Sequence, residues 1–251
     1  MELYDRKGKP IEDWRGWTRP KEERQWKAGR SAMELARAWF TAPAPTVPAE
    51  LAALLASRSE TADVVLEQGW PEFETKLPER GEGRNHDLVL LGRGSKGRVL
   101  VTVEAKVDET MGPSIATYWR ASKRNKEVSF AWRRIDALLK CAFGETAAAT
   151  EEPWGSLPYQ LLTALVGTAV EAKRRECPQA ILILHEFITE SAVDKRLREN
   201  AAGFDAFLRS LDGRATRKPG VLYGPYAVTF PNSTRQIPVL IGKAEYRWRT
   251  A

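Results

Sequence analysis

Two cysteines in 251 residues, Cys141 and Cys177, are too few for a disulfide framework and are not spaced as a zinc site. No apolar run approaches the roughly 20 residues that span a bilayer. The longest candidate, Leu157 to Val170, is interrupted by Gly167 and by polar residues. The opening Met1-Glu2-Leu3-Tyr4-Asp5-Arg6 holds no apolar stretch of the kind a secretion signal needs. There is no Gly-rich phosphate loop, no Ser-His-Asp order, no internal repeat and no low-complexity tract. These absences leave a chain for which a reducing, cytoplasmic setting is the expectation.

What is present is a globular composition, 43% hydrophobic and 29% charged, enough for one large core or one core with a small appendage. Lys and Arg number 39 against 33 Asp and Glu, and the pI is about 9.3. A basic excess can attract nucleic acid, although many basic enzymes bind none.

Residues 1–30 are polar, with Trp14, Trp17 and Trp26 spaced as anchors of an irregular arm. Helical spacing starts at 31–41, where Ser31 can act as cap, and a second helix follows at 49–57 after a proline-rich connector. Residues 61–68 read as helix or strand, 73–77 as strand and Gly81-Glu82-Gly83-Arg84-Asn85 as loop. Leu88–Leu91 and Val99–Val103 around a Gly-rich turn read as a β-hairpin. Helical patterns at 113–143, 157–175 and 191–211, a central strand at 180–188, and late strands at 221–230 and 237–247 complete the chain. Hairpin, helix, then apolar strand implies a right-handed crossover in a mixed α/β sheet with helices on its faces.

Glu-x-Lys occurs at Glu74, Glu104 and Glu171, and context separates the three. Glu171 and Lys173 fall in a helix, where residues two apart face differently. Glu104 and Lys106 end a strand, where i and i+2 share a face. A turn centred between Ser95 and Lys96 pairs residues whose numbers total 191, which opposes Asp87 to Glu104. Opposed residues share a face with Cβ atoms about 5 Å apart. Two such carboxylates need neutralising, and hard oxygen ligands suit Mg²⁺, with Mn²⁺ as its substitute. The Ala105 carbonyl could add a ligand, and Lys106 could orient water or stabilise developing charge. The bland counterpart is a salt-bridged strand end.

Asp87, a strand, Glu104-Ala105-Lys106, a helix and a parallel strand together resemble the PD-(D/E)XK nuclease superfamily, with His86 standing where the family name has Pro. The resemblance implies a restriction-endonuclease-like α/β fold, a mixed β-sheet flanked by helices with an αβββαβ core over about 50–190. It assigns Asp87, Glu104 and Lys106 to catalysis, Asp87, Glu104 and Ala105 to the metal, and Glu74 and Gln160 to supporting positions. Gln25-Trp26-Lys27 with Gly29-Arg30-Ser31-Ala32, Val103–Glu109 and Tyr159-Gln160-Leu161-Leu162 resemble an uncharacterised bacterial family within it. Residues 1–48 are then an arm and helix packing on the core, and 49–251 the nuclease-like domain with a helical insert at about 110–150.

Arg120, Lys123, Arg124 and Lys126 form a basic cluster that could flank nucleic acid, or simply make a solvated helix face. His86 reads as a loop residue and His185 as a core one. The expectation is a Mg²⁺-dependent nuclease cutting phosphodiesters, DNA before RNA. The alternative is a catalytically inactive module on the same fold that binds nucleic acid or a protein partner. The resemblance leaves room for a homodimer, since many such nucleases pair to cut both strands.

Overall fold

Seven strands form one mixed sheet in the computed structural model, which describes residues 1–125, 129–188, 194–213, 218–230 and 233–247. In chain order the elements are β1 (Glu2–Leu3), α1 (Ser31–Trp39), α2 (Ala49–Ala56), β2 (Val65–Thr75), β3 (Arg84–Gly94), β4 (Gly97–Lys106), α3 (Ile115–Arg124), α4 (Ala131–Phe143), α5 (Tyr159–Arg174), β5 (Gln179–Ile188), α6 (Asp194–Asp212), β6 (Leu222–Phe230) and β7 (Ser233–Arg247). The strands lie in the order β1-β2-β3-β4-β5-β7-β6. The pairs β2–β3, β3–β4 and β6–β7 are antiparallel, while β1–β2, β4–β5 and β5–β7 are parallel.

Apolar side chains fill both faces of this sheet, as expected for strands flanked by parallel neighbours. On one face α5 packs on the sheet, and α3, α4 and α6 join it in one apolar cluster with Val89, Leu100, Leu182, Leu184 and Val239. On the other, α1 and α2 pack on Leu88, Leu90, Val101, Ile183 and Leu240. The arm joins this second layer through Leu3, Ile11 and the buried Trp17, and Trp14 and Trp26 pack against its edge. β1 extends the sheet itself.

Several local expectations change. The ambiguous 61–68 stretch holds the start of β2 rather than a helix, and β2 ends at Thr75. Arg84 and Asn85 open β3 instead of lying in a loop, because they pair with Thr75 and Glu74. The helical 113–143 region is two helices, with Ser114 capping α3 at the Thr117 N–H. Ser31 is the first residue of α1 and does not cap it. Its N–H and hydroxyl instead donate to Glu109, so a carboxylate from beyond β4 neutralises the positive helix end.

Candidate functional site

The β3–β4 hairpin has the expected register. Leu88 pairs Val103, and the ladder continues without a shift to Gly94 and Gly97 around the two-residue Ser95-Lys96 turn. At the other end pairing stops at Leu88–Val103, one step short of Asp87 and Glu104. The Asp87 carboxylate replaces the missing backbone bond, accepting the Ala105 N–H at 2.6 Å. Asp87 therefore sits at the point where β3 leaves β4.

Its neighbour on the other side marks the same break. The register of β2 on β3 brings Glu72 opposite Asp87, between the pairs Pro71–Leu88 and Phe73–His86. Glu72 has φ 51°, the left-handed region that non-glycine residues rarely occupy inside a strand. This turn of the backbone resets the alternation of faces. Trp70 and Phe73, three residues apart, both pack on the α5 side. His86 follows Phe73 to that side and is fully buried beneath α5, where a Cβ on Gly167 would lie 3.0 Å from its Nε2. It is thus a core residue of β3 and not a loop histidine, and burial holds its pKa well below the ordinary value. His185 is also core, with Nε2 2.7 Å from Glu50 Oε1.

Where the strands part there is a cavity of about 540 Å³. Its floor is Glu72, Arg84, Asn85, Asp87, Glu104, Ala105 and Lys106, with Glu109 and Gln160 at the side. Glu104 and Lys106, only 4% and 6% exposed, share a face and pair at 2.8 Å. Arg84 Nη2 donates to the other Glu104 oxygen. Asn85 Nδ2 donates to Glu72 Oε2 at 2.5 Å. Gln160 has a buried Oε1 with no hydrogen-bond partner.

The electrostatics follow from burying many charges together. Burial raises the Asp87 pKa, against the pull of Lys106 and Arg84. Burial, and then the Asp87 charge, push Glu72 up to about 7. Burial lowers Lys106 despite Asp87 beside it. For Glu109 burial works upward, but the N–H groups of Val107 and Ser31 outweigh it and hold the carboxyl down. Among the described residues no group of three or more His, Cys, Asp or Glu is arranged to hold a metal ion.

Of the residues singled out by sequence, Asp87, Glu104, Ala105, Lys106 and Gln160 come together. Glu74 does not line this cavity; it accepts the Gly83 N–H at 3.3 Å and borders adjoining clefts. Arg120, Lys123 and Arg124 lie exposed on α3, away from the cavity lining, with Lys123 over the rings of Trp119 and Trp132. Lys126 lies outside the described residues. The cations at the cavity rim are instead Arg24, Lys27 and Arg30 of the arm. Glu72 and Arg84 were not singled out. The one sequence signal for Glu72 was the pair Trp70 and Phe73, whose three-residue spacing breaks strand alternation there.

No helix among the described residues is long and apolar enough to cross a membrane. No curated protein and no solved structure matches the chain. One family does, over residues 8–247: the chain belongs to the domain of unknown function DUF6946.

Proposed function

We propose that this protein is a divalent-metal-dependent nuclease hydrolysing phosphodiester bonds of nucleic acid, DNA before RNA, on a restriction-endonuclease-like core. The observation that carries the reading is the Asp87 carboxylate on the Ala105 N–H, beside the Glu104–Lys106 pair, at the floor of one cavity. The order α2-β2-β3-β4-α5-β5, with α3 and α4 inserted before α5 and with β5 parallel to β4, supports the core.

The donor set fits Mg²⁺. Such an ion needs only one or two protein carboxylates and fills its shell with water and substrate oxygens. Glu72 is buried and Asp87 half-buried, and repulsion between the two carboxylates raises the Glu72 pKa, which a cation would relieve. Asp87 and Glu104 would hold the ion, with the Ala105 carbonyl and Glu72 as further oxygen donors. When bound, it supplies water activation and charge stabilisation at the phosphoryl oxygen. Lys106, kept in place by Glu104, is positioned to orient water or meet developing negative charge. Arg24, Lys27 and Arg30 offer phosphate contacts at the rim.

Cleavage of single- and double-stranded DNA and RNA with Mg²⁺ or Mn²⁺ tests this. Wild type should cleave at least one of them and EDTA should abolish it. Glu104→Ala and Lys106→Ala should each lose roughly 10²–10³-fold or more while remaining folded. A second reading, a non-catalytic nucleic-acid-binding module, has one observation behind it: both Glu104 oxygens are already engaged by Arg84 and Lys106. Salt-sensitive binding with no metal-dependent cleavage would favour it.

A further inference from the structure

Arg84 is a half-buried cation on a carboxylate that the proposed chemistry requires for a metal. Its side chain is 11% exposed and contacts Glu104 Oε2, while Lys106 holds Oε1. Its stem lies against α5 at Gly167, where a Cβ would be 3.1 Å from Arg84 Cγ. Glu104 thus has a counter-ion on each oxygen.

The two counter-ions are not equivalent. Lys106 comes from the same strand as Glu104, two residues on, so its ammonium is anchored on the face of β4 that Glu104 occupies. Arg84 reaches across from the far end of β3, beyond the point where β3 and β4 part. A guanidinium grips a carboxylate best with two parallel N–H donors. Here Arg84 Nε is buried with no hydrogen-bond partner, so the fork is only half used. The cavity beside it gives the side chain somewhere to go. A guanidinium and a divalent ion on one carboxylate oxygen would repel strongly at this depth.

We infer that Arg84 is an exchangeable counter-ion, holding Glu104 in the metal-free protein and yielding it on metal binding, after which its guanidinium faces the substrate phosphate. The inference rests on the proposed nuclease reading and adds a regulatory residue to that site. Glu104 is kept neutralised without metal, and the guanidinium that is released donates N–H bonds to phosphate only when the site is loaded. The energetic consequence is a competition: whatever Arg84 contributes to Glu104 is subtracted from metal affinity.

Mn²⁺ titration of the full chain without nucleic acid, read from the EPR signal of the free ion, tests the competition directly. Arg84→Gln should bind Mn²⁺ about tenfold more tightly than wild type. If Arg84→Gln does not fold, Arg84→Met, which keeps the stem packed on Gly167, should show the same gain. Arg30→Gln removes an equal charge from the same cavity, but one paired with Asp108 at 2.9 Å, and should change affinity by no more than about twofold. Arg84→Gln should also cleave more slowly despite binding metal better, whereas Asp87→Ala should lose both. Unchanged or weaker Mn²⁺ binding in the folded Arg84 variants, or an equal gain in Arg30→Gln, overturns the inference and leaves the nuclease reading standing. Absence of Mn²⁺ binding in every protein overturns both.

Discussion

Glu72 concentrates the physical tension of the site in one residue. It is 4% exposed, sits at φ 51°, and its carboxyl is pushed up to about 7 by burial and by Asp87. Strained backbone of this kind persists only where the surroundings over-determine it. The pH consequence has a definite sign. A carboxyl whose folded pKa is raised holds its proton more tightly when folded than when unfolded. Its cost is absent below the ordinary carboxylate range, grows as pH rises toward about 7, and is complete above that. Glu72→Gln should therefore match wild type near pH 4.5 and exceed its stability by on the order of 2 kcal/mol at pH 8. Urea denaturation in EDTA at the two pH values measures this. Equal destabilisation at both would mean that the ionised carboxylate is already satisfied. Lys106 belongs to the same scale: burial lowers its pKa, so any role as a cation weakens at the alkaline end.

Elements decide which residues the sequence could reveal. The hairpin was legible because a two-residue turn and unbroken alternation fix register, and seven pairs from Leu88–Val103 to Gly94–Gly97 obey it. Legibility ended where alternation did. The Glu74-Thr75-Lys76 tripeptide drew attention to Glu74, yet the turn at Glu72 sends Glu72 to the cavity and Glu74 to Gly83. The same reset carries His86 and Arg84 under α5, which no local pattern announces. Gly167 makes room for them. Gly167→Ala gains about 1 kcal/mol of helix propensity but crowds a filled core, which costs about 1–3 kcal/mol. A net loss of about 1 kcal/mol in urea denaturation is expected; a gain would mean that His86 and Arg84 shift freely. The arm is the second element that sequence undervalued. Its rim cations replace the α3 cluster as candidate phosphate contacts. Lys27→Glu with Arg24→Glu should weaken nucleic-acid binding and reduce the slope of log affinity on log salt by about 2, while Arg120→Glu with Arg124→Glu should leave the slope nearly unchanged. The reverse pattern in fluorescence anisotropy would return the interface to α3.

At the scale of the whole molecule, the arm shares its sheet and its core with the residues that follow it. β1 hydrogen-bonds to β2, and Leu3, Ile11 and Trp17 complete the core on the α1–α2 face. One further tie fastens the arm just past the end of β4, near Lys106: Arg30 to Asp108 at 2.9 Å, next to the Ser31–Glu109 contact with which α1 begins. Composition leaves one large core or one core with a small appendage open, since residues 1–30 are polar and the few buried side chains among them are widely spaced. Those few are large. Full burial of Trp17, Leu3 and Ile11 contributes about 1.5–3 kcal/mol each, a sum comparable with the roughly 5–15 kcal/mol net stability of a domain. Deleting residues 1–30 should therefore abolish the cooperative thermal transition seen by circular dichroism and expose the rest to rapid proteolysis. A truncated chain that melts cooperatively near the wild-type temperature would show that the arm is dispensable for folding. Its role would then shrink to lining the cavity, and the truncated protein would be the better one in which to measure how much of the nucleic-acid affinity Arg24, Lys27 and Arg30 supply.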